Sequence, residues 1–393
     1  MPAALPHGAP KGRNIVLGAG KAAAEMAAVA NRHLLGETSG LVVTRDGHGA
    51  ALATGDIEVI EAAHPVPDER SLEAANRMLD LAMTATRDDR VVFLISGGGS
   101  ALLCAPIAGV TVEQKQDVTR FLLQSGARIE EINCVRKHLS RVKGGGLAHA
   151  AAAADLVTLA ISDVVGDALS DIASGPSVVF RRCVASAREI LEKYGYDAIE
   201  PLVAAMRKAE PIAAPEHPAK VVASARVALD AIVKQTEADG WMPILVGDDI
   251  EGDATEVGRR HAELARQYRQ RDVNVALVSG GELTVKVKNR EGRGGPNLEY
   301  LASLMIGLNG AAGIEAIACD SDGIDGSEDN AGACISSTSL KRAAQLGIDP
   351  AELLRTNNSY TLFEALGDLV VTGPTGTNIN DIRVILVGPG NEV

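Results

Sequence analysis

The sequence predicts an α/β protein of two domains, each an open sheet packed with helices. Three observations carry this. Short apolar runs alternate with longer Ala- and Leu-rich stretches along the whole chain, the order expected of β-α-β units. The apolar runs lack a two-residue alternation, as strands covered on both faces do. Between them, Ala209–Lys220 reads AEPIAAPEHPAK, a proline-rich stretch that marks a linker.

Residues 1–215 are assigned to the first domain and 216–393 to the second. In the first, strands are expected at Asn14–Leu17, Leu41–Thr44, Ile57–Glu61, Val91–Ile95 and Leu156–Ile161. Helices are expected at Lys21–His33, Glu69–Thr86, Val112–Leu123 and Glu130–Ala153. In the second, Val221–Ser224 is the opening strand, followed by helix Ala225–Ala238, strand Ile244–Val246 and helix Ala254–Arg271. Strands Val273–Val278 and Leu283–Val287, a helix near Asn297–Leu308, and strands Ala316–Ala318, Leu369–Val371 and Val384–Val387 complete it.

Composition excludes several classes of function. Hydrophobic residues make up 46% and charged residues 23% of the 393, which is enough apolar surface to fold. The longest near-apolar run, Leu147–Ile161, is interrupted by His149 and Asp155, so no membrane span is expected. The N-terminus lacks a signal-peptide core, and five scattered cysteines without C-x-x-C spacing fit buried thiols in a reducing cytoplasm. A net charge of −13 repels nucleic acid and anionic membranes, and 3% aromatics offers no base-stacking platform. A homodimer remains compatible with the sequence.

In open α/β sheets, ligands bind beyond the carboxyl ends of the strands. Five strand ends here are rich in glycine or polar residues: Gly18–Lys21, Ser96–Ser100, Ser162–Asp167, Ser279–Glu282 and Cys319–Gly323. Ser96, Gly97, Gly98, Gly99 and Ser100 suit an anion such as triphosphate, because glycines let backbone amides approach it; a tight structural turn is the alternative. Gly18-x-Gly20-x-x-Ala23 formally matches a dinucleotide fingerprint. Lys21, at a helix mouth, is better explained by a negative ligand than by the helix dipole.

Arg136 to Gly146 is a basic stretch in an acidic chain; on one helix, Arg136, Ser140 and Lys143 would share a face toward phosphate or toward solvent. Asp163 and Asp167 could hold Mg²⁺ or cap a turn. Arg293, among glycines, reads as a mobile charge for phosphoryl transfer or a solvated side chain. Asp320, Asp322, Asp325, Glu328 and Asp329 crowd one loop that is not an EF-hand and could take a cation or substrate hydroxyls.

The motifs GAGKAAA, LISGGGSALL, VRKHLSRVKGGGLA, ISDVVGDALSDIASGPS, SGGELTV, GRGGPNLE, DSDGIDGSEDNAGA and GDLVVTGPTGTNINDIRV, in this order over about residues 14–388, resemble the type-2 glycerate kinases with a C-terminal MOFRL domain. The resemblance implies a Rossmann-like first domain, a MOFRL-type α/β second domain and an active site in the interdomain cleft. It implies phosphorylation of D-glycerate to 2-phosphoglycerate with ATP and Mg²⁺. Lys21 and Arg293 fall on the family's important cations and are expected to clamp the glycerate carboxylate and the transferring phosphoryl group. Glu282 and Asp322 are expected beside the substrate. Ser96–Ser100 with Lys143, Gly144 and Gly145 are assigned to the phosphates, and Asp163 or Asp167 to the metal. The family often has Gln-Glu after GRGGPN; Leu298-Glu299 stands here, so position 298 is given no side-chain role. Relatives named hydroxypyruvate reductases make an NAD(P)H-dependent reductase the alternative.

Overall fold

A computed structural model describes residues 1–271 and 273–389. The chain divides into two compact units, one ending at Ala223 and the other beginning at Ser224.

The first unit holds six parallel strands: β1 (Asn14–Ala19), β2 (Thr38–Arg45), β3 (Asp56–Ala62), β4 (Arg90–Ile95), β5 (Asp155–Ile161) and β6 (Ala219–Ala223). They lie in the order β3-β2-β1-β4-β5-β6. This is the doubly wound order, whose direction reverses between β1 and β4. β1 is buried along its whole length, as continuous apolar character requires of a central parallel strand. Helices α1 (Ala23–His33) and α2 (Glu69–Thr84) pack on the sheet, and Ile15, Leu17, Leu41, Val43, Met78 and Phe93 lie in its core. A short α3 (Gly99–Leu102) follows β4. Helices α4 (Val112–Gln124), α5 (Ile129–His138), α6 (Gly146–Ala150), α7 (Val184–Tyr194) and α8 (Ile199–Lys208) follow in chain order. All of these except α6 contribute to a second apolar cluster, containing Val118, Leu122, Val135, Leu191 and Leu202.

Two expectations are corrected here. The strand expected to open the second domain is β6, which pairs with β5 at the edge of the first sheet. The proline-rich stretch is therefore a crossover within the first unit, and the division falls after Ala223 instead of after residue 215. The helix expected over Glu130–Ala153 is broken into α5 and α6. Gly144 and Gly145 adopt φ of 57° and 85°, and Ser140 bridges to Pro106, so the chain turns where a helix would continue.

The second unit holds β7 (Met242–Gly247), β8 (Gly252–Asp253), β9 (Val275–Gly281), β10 (Leu283–Thr284), β11 (Ile314–Asp320), β12 (Gly332–Ile335), β13 (Leu369–Val370) and β14 (Asp381–Val387). Six of these form a mixed sheet, β13-β12-β11-β14-β9-β7, in which only β7 and β9 run parallel. β8 and β10 form a separate parallel pair, so the strand expected over Leu283–Val287 ends at Thr284. The helices are α9 (Ala225–Ala238), α10 (Ala254–Arg269), α11 (Pro296–Leu308), α12 (Ser339–Gln345), α13 (Pro350–Arg355) and α14 (Ser359–Leu366). Helix α11 is apolar on nearly every side and lies in the core with Tyr300, Leu301 and Leu304. Gly258 and Gly307 let α10 and α11 approach closely; a Cβ at either would overlap the facing helix.

No helix among the described residues is long and apolar enough to cross a membrane. All five cysteines are free. Cys183 and Cys334 are exposed, against the expectation of five buried thiols.

Arg383 is fully buried, donates to the carbonyls of Gly280 and Gly281, and pairs with buried Asp381 at 2.5 Å. Removing one partner of a buried pair leaves the other charge stranded. Arg383→Met is expected to lower the second unit's stability by about 3–5 kcal/mol. Urea unfolding followed by Trp241, the single tryptophan, which packs against the cluster of Leu229 and Val278, reads this.

Candidate functional site

The loops after β1 and β4 lie side by side at the switch point of the first sheet. Lys21 donates its amide to the Gly97 carbonyl at 2.8 Å, and Ala22 donates to Ser96 Oγ at 3.0 Å. Ser96 in turn donates its amide to Ala19. Gly20, at φ 132°, lies so close to Ser96 that no side chain fits there. The Asp163 carboxylate, at the end of β5, occupies the space where a Cβ on Gly97 would be. Gly98 faces the Lys21 stem and the His64 imidazole, with a would-be Cβ 3.3 Å from Lys21 Cγ and 3.1 Å from His64 Nε2. The structure thus brings together Lys21, Ser96–Ser100, Asp163 and His64.

Burial pushes the Asp163 carboxyl above the usual range, and Lys21 partly offsets this. Burial, with Lys21, Arg45 and His48 nearby, holds the His64 imidazolium down to about 4, so His64 is neutral near pH 7. His64 was not found from sequence; a histidine before a proline in a loop carries no periodic signal.

The loop after β5 stores strain. Asp167, Ala173 and Ser174 adopt φ of 54°, 52° and 61°, and the other non-glycine residues with positive φ among those described are asparagines. Such backbone costs on the order of 1–3 kcal/mol per residue and collects at functional sites. It places Ser174 Oγ 2.6 Å from Ser100 Oγ; Ser174 also bonds to Asn133, and Lys137 pairs with Asp171 at 3.3 Å. Asp163 is a hard oxygen donor beside the glycine loop and fits a Mg²⁺ that takes one or two carboxylates and completes its shell with phosphate and water. No group of three His, Cys, Asp or Glu suited to a metal occurs among the described residues.

Gly144 and Gly145, expected beside the phosphates, lie next to the strained loop after β5. Their amides donate to the carbonyls of Ser174 and Gly175 and are consumed. Lys143 lies between helices instead of on one. It is buried and donates from Nζ to the Ser100 carbonyl at 2.7 Å. The dinucleotide fingerprint also has a packing explanation. Gly18 lies within β1 against the Leu94 carbonyl, and the amides of Gly20, Lys21, Ala22 and Ala23 all donate within the unit. None of these four amides remains for a pyrophosphate.

In the second unit, Arg293 is held rather than mobile. Its guanidinium lies over the Tyr360 ring at 4.3 Å and pairs with Glu328 at 2.8 Å while remaining 45% exposed. Gly294 and Gly295 are required by close packing against Ser359 and Asp325. The acidic loop is mainly structural. Asp325 accepts from the amides of Asn297 and Leu298, fixing the start of α11, and Asp322 accepts from Ile324 within its own turn. Asp322 is buried, Glu282 is exposed just after β9, and Leu298 is core.

Residues 4–208 match the family described as "Domain of unknown function (DUF4147)", and residues 275–381 match the MOFRL family. A D-glycerate 2-kinase of Thermotoga maritima is 38% identical over 95% of this chain and 91% of its own length. The chain belongs to the glycerate kinase family. A solved glycerate kinase structure from Thermotoga maritima superposes with a TM-score of 0.89 at 37% identity, covering 96% of this chain and 92% of the other. A relative from Agrobacterium vitis named "Putative hydroxypyruvate reductase" is 48% identical over 96% of this chain and 88% of its own length. Family membership makes the chain a two-part α/β enzyme of this family, with a parallel first sheet and a mixed MOFRL sheet.

Burial pushes the Asp325 carboxyl up to about 7 from 3.8. Between these values the folded state holds a proton that the unfolded chain has lost. The stabilisation is therefore full below pH 3.8 and lost as pH rises through about 7. Urea midpoints read by Trp241 are expected to fall across this window in the parent protein and to change less in Asp325→Asn.

Proposed function

We propose that the chain transfers the γ-phosphoryl group of ATP to the C2 hydroxyl of D-glycerate, giving ADP and 2-phosphoglycerate. The observation that carries this reading is the seating of Lys21 on the Ser96–Ser100 loop at the switch point of the parallel sheet. The glycines bring backbone close to phosphate oxygens, and Lys21 adds positive charge beside them. The C2 oxygen attacks the γ-phosphorus as the bond to the bridging oxygen breaks; ADP leaves with that electron pair and the hydroxyl proton is released. Mg²⁺, held by Asp163 or Asp167, would neutralise phosphate oxygens when bound. Arg293 supplies the second cation toward the substrate, with Tyr360 and Glu328 limiting its rotamers. Glu282 and Asp322 stand as substrate contacts.

The name of the Agrobacterium relative raises the reductase reading. The consumed amides of Gly20–Ala23 count against it. Incubation with ATP, Mg²⁺ and D-glycerate is expected to yield 2-phosphoglycerate, identified by phosphorus NMR. Lys21→Ala and Arg293→Ala should each lower kcat by on the order of 10²–10³. NADPH oxidation by hydroxypyruvate without ATP, with no phosphoglycerate formed, would overturn the proposal.

A further inference from the structure

Beside Gly98 and Ser100, and wholly within the first unit, lies a cavity of about 360 Å³. Lys115 and Arg120 of α4, Arg136 of α5 and Lys143 line it, and no carboxylate does; Arg120 pairs with Asp117, and Lys143 donates to the Ser100 carbonyl. Lys115 is 5% exposed and its Nζ has no hydrogen-bond partner among the described residues. Among the described residues neither Arg136 nor Lys143 forms an ion pair, whereas neighbouring Lys137 pairs with Asp171. A buried unpaired cation opposes folding unless an anion joins it. Burial holds the Lys115 ammonium down to about 8, which still leaves it mostly charged near pH 7.

The rest of the wall is apolar. Val66 and Leu123 line the cavity, yet are 57% and 56% exposed, unusual for large aliphatic side chains next to a cluster of cations. A ligand that covers both must be anionic at one end and flat or apolar at the other. A small carboxylic acid brings one negative charge to a wall carrying several basic side chains. A polyphosphate brings several, and Lys and Arg are its usual protein partners. The volume lies in the range of small-molecule sites.

We propose that this cavity is a nucleoside polyphosphate subsite, with Lys115 and Arg136 at the phosphates and Val66 and Leu123 flanking the base. The inference rests on the kinase reading for which nucleotide is used, and it extends the phosphate path from the glycine loop through Arg136 of the basic stretch to Lys115, a cation outside the motif set. Lys115 is a binding residue here, buried so that the charge is desolvated until the nucleotide arrives.

The test is calorimetric titration of the full chain with ADP and, separately, with inorganic tripolyphosphate. Lys115→Met is expected to weaken both by on the order of tenfold or more, since charge-assisted hydrogen bonds are lost. Without nucleotide it should melt at a higher temperature than the parent, because an unpaired buried charge is gone. Leu123→Ser, at an exposed position, should weaken ADP and leave tripolyphosphate unchanged. If Lys115→Met does not fold, Arg136→Gln carries the same arm. ADP affinity unchanged in the folded cation variants, or no ADP binding by the parent protein, overturns the subsite. Glycerate phosphorylation with ADP affinity indifferent to Lys115 and Arg136 sinks the subsite alone. ADP binding that depends on Lys115 without any glycerate phosphorylation sinks the kinase reading and supports the subsite.

Discussion

The first unit depends on how tightly the ends of β1 and β4 are joined. Lys21 to Gly97, Ala22 to Ser96 Oγ and Ser96 to Ala19 form three hydrogen bonds between 2.8 and 3.0 Å across the switch point. Parallel strands diverge beyond this point because their helices leave on opposite faces. The bonds fix where Lys21 leaves the backbone and how the glycine loop is displayed. Gly20 has to be glycine for the approach, and Gly97 has to be glycine for Asp163 to lie over it. One close contact therefore sets the positions of a cation, a carboxylate and an anion-seeking loop.

Around that contact the protein accepts unfavourable electrostatics. A chain of net charge −13 buries Lys115 and Lys143 with no acidic partner among the described residues, and buries Asp325 and Asp381 close together. The two kinds of burial differ in outcome. In the second unit, Asn297, Leu298 and Arg383 satisfy the carboxylates, and the result is a fixed start to α11. In the first, Lys115 has no such partner. Strained backbone at Asp167, Ala173 and Ser174 adds to the same unit's burden. Such costs persist where binding offsets them.

The architecture was legible because its strands are continuous apolar runs with glycine at their ends, and parallel central strands have few other ways to look. What lay beyond local pattern was misread. β6 reads like the start of a domain, since only pairing with β5 assigns it to the first sheet. The break between α5 and α6 was signalled by Gly144–Gly146, but the bridge from Ser140 to Pro106 that closes it is a long-range contact. Gly144 and Gly145 looked like phosphate ligands because glycine pattern alone does not say which amides are already used. Lys115 did carry a signal: it falls in register with Val118 and Leu122, at three- and seven-residue spacing on the buried face of α4, where a lysine has no ordinary place. Arg293 was found by its glycines, yet those glycines serve close packing, and Tyr360 restrains the side chain.

The most direct measurement is a crystal structure of the full chain with a non-hydrolysable ATP analogue and Mg²⁺. The account predicts the polyphosphate against the backbone of Gly97–Ser100, with Lys115 Nζ within hydrogen-bond distance of a phosphate oxygen. A polyphosphate ordered elsewhere on the protein, leaving both the glycine loop and Lys115 without contact, would contradict it.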